Sequence, residues 1–366
     1  MANEAPRVAT ISREPTIPRE PTIPRESTIS QELLDFIRDG NKFLIASHKE
    51  PDGDCVGSQL ALVSVLRRMG KEAVPCSAGP FKRTEIKTYE HYFTSTPVEK
   101  EGFRLIVVDC SGPDRTGDLE PFLEGLPTAV IDHHESGKYN TAAMEPGSAG
   151  TCNRNPDGLE APSCGPAYID AHAPSTTFLV LKLIEALGLE LTREEAELLF
   201  FGLCTDTGFF RFVDGEGART FEAAARLIRS GVNPKAVYAA INGGKSLDSR
   251  RLMGHLLLKA ESLFGGKLLL SAEEYEESCR FGLESRDSDS LYQLLQSVAG
   301  VEAIVLIRQE TPEKCSVGFR SRDLVDVGNI AKSFGGGGHK NAAGLSIAGT
   351  VADLKPRIIK AFEKVF

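Results

Sequence analysis

From Ser30 onward the apolar residues follow two rhythms. Short unbroken runs, FLIAS at 43–47, FRLIVVD at 103–109 and TAVID at 128–132, read as buried strands. Longer stretches with apolar positions three and four apart read as helices. These are 31–39, capped by Ser30 and ended by Gly40; about 56–69, stopped by Gly70; and about 175–187, 193–204, 219–230 and 234–241. Apolar runs without alternation, separated by helices or long connections, predict an α/β fold: a parallel sheet with helices on both faces, spanning 31–242. GGKSLDSR at 243–250 is polar and opens a linker, 243–262, whose helix (about 249–263) leads into a smaller α+β unit at 263–366. There KLLLS (267–271), VEAIVLI (301–307) and KCSVGFR (314–320) read as strands, with helices at 288–299, 326–334 and 351–364.

Two segments break the pattern. REPTIP occupies 13–18 and again 19–24, and RESTIS follows at 25–30. Proline recurs wherever a helix or strand would need an N–H, so 1–30 is expected to be an extended, disordered tail. Residues 135–174, rich in Gly, Pro, Asn and Ser and carrying Cys152 and Cys164, have no period and read as a long inserted loop.

Composition narrows the class. With 41% hydrophobic and 25% charged residues the chain is an ordinary globular protein with ample core. No window approaches a membrane span, and the N-terminus lacks the basic-then-apolar pattern of a secretory signal, so a cytoplasmic protein with reduced cysteines is expected. The tail's four Arg and four Glu cancel, so the net charge of −9 belongs to the body. That disfavours duplex DNA, which demands many phosphate contacts, but leaves room for a locally basic pocket holding a nucleotide or short oligonucleotide.

Candidate chemistry gathers where the first three strands end. The first runs into His48-Lys49-Glu50-Pro51-Asp52-Gly53-Asp54, with Gly57 opening the next helix; the second ends at Asp109; the third ends at Asp132-His133-His134. Ligands of open parallel sheets bind outside the carboxyl ends of the strands, so the three ends converge on one place. GLCTDTGFF at 202–210 adds Asp206 in a Gly- and Thr-rich turn after a helix. Each piece alone has a plainer reading, as a turn, a helix cap or a core histidine. Together, Asp52, Asp54, Asp109 and Asp206 bring four negative charges that would repel unless matched, and two divalent cations match them. A histidine and carboxylate set without thiolate suits Mn²⁺ better than a structural zinc. Two such ions about 3.5–4 Å apart support in-line displacement at phosphorus.

A second signal is Gly335-Gly336-Gly337-Gly338-His339-Lys340-Asn341, near Arg320 and Arg322. Consecutive glycines let backbone N–H groups approach an anion. No G-K-[ST] or G-x-G-x-x-G pattern is completed, so this is neither a nucleoside-triphosphatase loop nor a dinucleotide fingerprint.

Taken in order, HKEPDGDCVGS, VVDCS, IDHH, GLCTDTG and GGGGHKNAAG resemble the DHH phosphoesterases that carry a C-terminal DHH-associated domain. Within that family the chain looks most like the short NrnA-type oligoribonucleases and 3′-phosphoadenosine 5′-phosphate phosphatases. The resemblance implies a catalytic domain at 31–242 and a substrate-binding domain at 263–366. It implies that His48 and Asp52 hold one metal, that Asp54, His133 and Asp206 hold the other, and that Asp109 bridges them. His134 would donate a hydrogen bond near the reacting phosphate and Asp132 would orient the His pair. Arg320, Gly337, Gly338 and His339 would hold the far phosphate or terminal nucleotide, and the cleft between the domains would limit substrate length. The expected cofactor is Mn²⁺, two ions per site, with Co²⁺ and Mg²⁺ as alternatives. The expected partners are short single-stranded RNA oligonucleotides or small nucleotides, without membrane, and the family pattern makes a homodimer plausible. The alternative enzyme reading is a phosphodiesterase for cyclic di-AMP or linear dinucleotides. A non-catalytic nucleotide-binding module would be expected to have lost metal ligands, and none is lost.

Overall fold

The computed structural model describes residues 28–97, 100–134, 165–213, 215, 217–282, 286–322 and 324–366. The REPTIP copies, and residues 135–164 of the inserted segment, lie outside the described residues. The chain divides into two units, one ending at Gly243 and the other starting at Gly244.

In the first unit the described elements are α1 (Gln31–Asp39), β1 (Lys42–Ala46), α2 (Gly53–Arg68), β2 (Glu72–Cys76), β3 (Phe103–Val108), α3 (Glu120–Leu123), β4 (Thr128–Asp132) and β5 (Ala167–Ile169). The helices α4 (Thr176–Ala186), α5 (Arg193–Asp206), α6 (Ala218–Arg229) and α7 (Pro234–Asn242) follow. The strands form one sheet in the order β2-β1-β3-β4-β5, every pair parallel. The chain leaves β1 toward one edge and returns on its other side for β3, so the strand order switches between β1 and β3. The crevice of such a sheet opens at the carboxyl ends of those strands.

Strand burial is continuous, as a sheet covered on both faces requires. Phe43, Ile45, Ile106, Val108 and Ile131 pack in one core with Leu62, Leu66, Leu179, Leu183 and Leu199 from the long helices. Leu44, Ala46, Leu105, Val107 and Val130 pack in another with Leu119 and Leu123. The faces are unequally clothed: among the described residues the second core receives short helical turns rather than long helices.

Several local expectations shift. The helix expected from about Val56 starts at Gly53, because Asp52 caps it by accepting from the backbone N–H groups of Asp54 (3.0 Å) and Cys55 (3.1 Å). Asp206 is the last residue of α5 and not part of a following turn. Residues 167–169, expected within a loop, form the fifth strand beside β4.

The second unit contains α8 (Leu247–Leu258), β6 (Glu261–Leu263), β7 (Leu268–Glu273), α9 (Tyr275–Phe281), α10 (Ser288–Gln296), β8 (Ala303–Thr311) and β9 (Lys314–Ser321). It continues with α11 (Val327–Ser333), β10 (Gly337–Gly338), β11 (Ala342–Ala348) and α12 (Val351–Phe362). Its sheet runs β10-β11-β9-β8-β7-β6, antiparallel except for β7 against β8. Leu252, Leu256, Leu291 and Leu295 pack with Ile304 and Leu306, whereas Val327, Ile330, Leu354 and Phe362 pack with Val305, Val317 and Phe319. The helix expected to reach 263 stops at Leu258, and the chain becomes edge strand β6 instead. No helix among the described residues is long and apolar enough to cross a membrane.

Candidate metal centre and phosphate-binding loop

β1, β3 and β4 deliver His48, Asp109 and the Asp132-His133-His134 run to the sheet's switch point. Asp52 and Asp54 enter with the first turn of α2, and Asp206 with the last residue of α5. The approach of the two helices depends on glycine. At Gly57 a Cβ would collide with the Leu198 carbonyl; at Gly202 it would collide with the Thr177 methyl and lie 3.1 Å from Asp54 Oδ1.

Potential ligand atoms collect in three overlapping groups, each with its atoms within 4.8 Å of one another: His48, Asp52, Cys55 and Asp109; Asp109, His133 and His134; and Asp54, His133 and Asp206. Asp109 links the first group to the second, and His133 links the second to the third. Asp109 Oδ2 lies 3.8 Å from His48 Nε2, and Asp109 Oδ1 lies 3.6 Å from His133 Nε2. His133 Nε2 is also 3.5 Å from Asp206 Oδ2 and 4.0 Å from Asp54 Oδ2. Asp109 holds this place with a left-handed backbone, φ 60°, unusual for a residue with a side chain and commonest at functional sites.

Two features fit the cluster to divalent cations. Both His48 and His133 set Nδ1 against a backbone carbonyl, Lys49 at 2.8 Å and Ala173 at 3.3 Å. Protonation at Nδ1 satisfies each carbonyl and leaves Nε2 as a lone pair facing the carboxylates, the arrangement of a metal-ligating imidazole. The carboxylates are also held at a cost. Burial, reinforced by the neighbouring Asp54 and Asp52, drives Asp109 well above the carboxylate range and pushes Asp206 up to about 8. Burial likewise raises Asp54, against the pull of His133. Cations are what this crowd of buried oxygens lacks.

Asp132 Oδ1 lies 2.7 Å from His134 Nδ1 and accepts from the His134 backbone N–H at 3.2 Å. That hydrogen bond orients the His134 imidazole and raises it above its ordinary pKa. His134 is 49% exposed, which leaves it accessible from solution.

Sequence reasoning assigned no role to three residues that brace the carboxylates. Thr176 donates its backbone N–H to Asp54 Oδ2 (2.6 Å) and its hydroxyl to Asp109 Oδ1 (3.0 Å). Thr177 donates both its N–H (2.9 Å) and its hydroxyl (2.7 Å) to Asp54 Oδ1. Cys55 donates its S–H to Asp109 Oδ2 at 3.1 Å. The Ser-Thr-Thr start of an apolar helix was the available signal for the threonines; nothing local marked the cysteine.

The remaining expected residues, Arg320, Gly337, Gly338 and His339, belong to the second unit. The glycine run, expected as a loop, is partly strand: Gly337 pairs with Gly344 and Gly338 with Ala343. His339 and Ala342 close the turn, with His339 N–H to Ala342 C=O at 2.8 Å and the reverse bond at 3.3 Å. At Gly338, φ 140°, a Cβ would meet the backbone of Ala342 and Ala343, so only glycine lets the two strands lie this close. Arg320 pairs in register with Ala342 on the next strand, so Arg320 and His339 flank Ala342 across the sheet.

Comparison with known proteins agrees with this architecture. Residues 42–203 match the DHH family, N-terminal domain, and residues 265–366 match the DHHA1 domain. The chain is 32% identical over 324 residues to the bifunctional oligoribonuclease and PAP phosphatase NrnA of Thermus thermophilus, covering 88% of this chain and 87% of that protein. It is 25% identical over 358 residues to the cyclic-di-AMP phosphodiesterase GdpP of Bacillus subtilis, covering 92% of this chain but only 50% of that one. In fold it is similar to an exopolyphosphatase-related protein of Bacteroides fragilis, with a TM-score of 0.74 at 21% identity over 91% of this chain and 94% of the other. The chain belongs to the DHH family and is a phosphoesterase, a hydrolase of phosphoester bonds.

Proposed function

We propose that the chain is a Mn²⁺-dependent two-metal enzyme that hydrolyses short RNA oligonucleotides to mononucleotides and 3′-phosphoadenosine 5′-phosphate to AMP. The observation that carries this reading is the chain of overlapping ligand groups, with Asp109 grouped with His48 on one side and with His133 on the other, each histidine setting its Nδ1 against a backbone carbonyl. In it His48 and Asp52 hold one ion, Asp54, His133 and Asp206 hold the second, and Asp109 serves both. These residues would hold divalent ions that, when bound, would supply Lewis acidity at phosphorus and lower the pKa of water. His134, oriented by Asp132, donates a hydrogen bond to a phosphate oxygen, while Arg320, His339 and the N–H groups of Gly337 and Gly338 bind a phosphate of the substrate. Similarity to the Thermus thermophilus NrnA over nearly the full length of both chains supports this substrate pair. The same reading makes the protein a cytoplasmic enzyme and, by family pattern, a homodimer.

A body with net charge −9 offers long polyanions no extended track, so substrates of two to five nucleotides are favoured. The test is a product time course with Mn²⁺ on a dinucleotide, a five-residue RNA, a 24-residue RNA, 3′-phosphoadenosine 5′-phosphate and cyclic di-AMP. Fast turnover of the two short RNAs and the bisphosphate supports the reading. Turnover confined to cyclic di-AMP replaces it with the cyclic dinucleotide activity of the GdpP-like relatives, and processive decay of the 24-residue RNA contradicts the short-substrate preference.

A further inference from the structure

We infer that Tyr292 is a positioning residue for substrate binding: it aims Arg320 without neutralising it. The inference rests on the reading of Arg320 as a phosphate ligand and explains how that arginine is kept ready.

Tyr292 sits in α10 and is 5% exposed. The Arg320 guanidinium carbon lies 4.6 Å from its ring centroid. The ring is pinned from the other strand position on the same face: a Cβ at Gly318 would collide with the Tyr292 hydroxyl, so the tyrosine fills the space that glycine leaves. The Arg320 side chain also donates Nη1–H to its neighbour's carbonyl, Phe319 O, at 3.0 Å. Among the described residues no carboxylate pairs with it. Two other arginines of this unit contrast: Arg286 binds Glu273 and Glu310, and Arg308 faces Glu273 at 3.4 Å.

This difference is what a phosphate-binding arginine needs. A carboxylate partner would orient the guanidinium but cancel its charge and occupy its N–H fork. An aromatic face orients it through the ring quadrupole and leaves both charge and donors available. Holding the long side chain in place beforehand removes rotamer entropy that binding would otherwise cost. The effect therefore belongs to binding, and KM should carry it.

The test measures steady-state kinetics on 3′-phosphoadenosine 5′-phosphate and a diribonucleotide for Tyr292→Leu, Tyr292→Phe, Arg320→Ala and Tyr292→Leu combined with Arg320→Ala. The expected result is a KM raised about five- to tenfold in Tyr292→Leu with kcat held within about twofold, recovery in Tyr292→Phe, and no added loss in the double variant. If Arg320→Ala raises KM and Tyr292→Leu does not, the positioning role falls alone. If Arg320→Ala leaves KM unchanged, the phosphate-ligand reading falls and this inference with it. Additive losses, or a fall confined to kcat, overturn the positioning role as well. Should Tyr292→Leu fail to fold, Gly318→Ala provides the same test: it must displace the tyrosine and raise KM, and Tyr292→Phe added to it must lower KM again. A Gly318→Ala protein with normal KM, or one the phenylalanine does not rescue, contradicts the inference.

Discussion

Thr177 binds Asp54 twice, its backbone N–H at 2.9 Å and its hydroxyl at 2.7 Å converging on the same oxygen, Oδ1. The two residues are 123 positions apart, and the bond ties the first turn of α2 to the first turn of α4. Thr177→Val keeps the shape and the N–H but removes the hydroxyl. Partners that brace a metal ligand typically alter affinity by 10–100-fold, so Mn²⁺ titration should show the weaker ion bound at least about tenfold less tightly. Unchanged binding of both ions would show that the hydroxyl is incidental.

The raised carboxylates give a pH prediction with a definite sign. Asp206 has its ordinary value of 3.8 when unfolded and about 8 in the metal-free fold, so between those values the native state binds more protons than the unfolded one. Stability of the metal-free protein therefore falls as pH rises through this window. His134, raised mainly by its hydrogen bond to Asp132, adds to the same trend, because its contribution is present below 6.5 and lost as pH rises through its folded value. Carboxylates held low, as Asp353 is by the Thr350 hydroxyl and Glu310 by the Ser316 hydroxyl and Arg286, oppose it only at the acidic edge of the window. Thermal melts of chelator-treated protein at pH 5, 6.5 and 8 check this. Added Mn²⁺ should stabilise most at pH 8, and metal-free stability that climbs toward pH 8 would contradict the charge assignment.

Gly202 provides a packing test. As a helix residue it should gain about 1 kcal/mol on replacement by alanine. The new methyl would instead strike Thr177 and crowd Asp54, an overpacking that typically costs about 1–3 kcal/mol. Crowding should win, so Gly202→Ala is expected to melt lower than wild type and to bind Mn²⁺ more weakly. A stabilised variant with normal metal binding would mean that α2, α4 and α5 are not locked together as described.

The sequence made the strand ends legible because unbroken apolar runs stop at His48, Asp109 and Asp132, and a parallel sheet gathers such ends. It did not reveal β2, whose EAVPC carries Pro75; the strand lies at a sheet edge, where a missing N–H is tolerated. β5 was hidden by its three-residue length inside a Gly- and Pro-rich segment. The helix start at Gly53 was obscured by treating Gly57 as the boundary, although Asp52 is the better cap. Thr177 to Asp54, Cys55 to Asp109 and Tyr292 to Arg320 are contacts between distant segments, and no local periodicity encodes them.

In the proposed mechanism one carboxylate, Asp109, joins two ion sites into a single hydrolytic centre. Bound Mn²⁺ per chain, measured by equilibrium dialysis on wild type and on Asp109→Ala alongside hydrolysis of a diribonucleotide, tests it most directly. The account predicts two ions in the wild type, weak binding of both in the variant, a normally folded chain, and turnover reduced by several orders of magnitude. An Asp109→Ala protein that holds two ions tightly and still hydrolyses the diribonucleotide would contradict it.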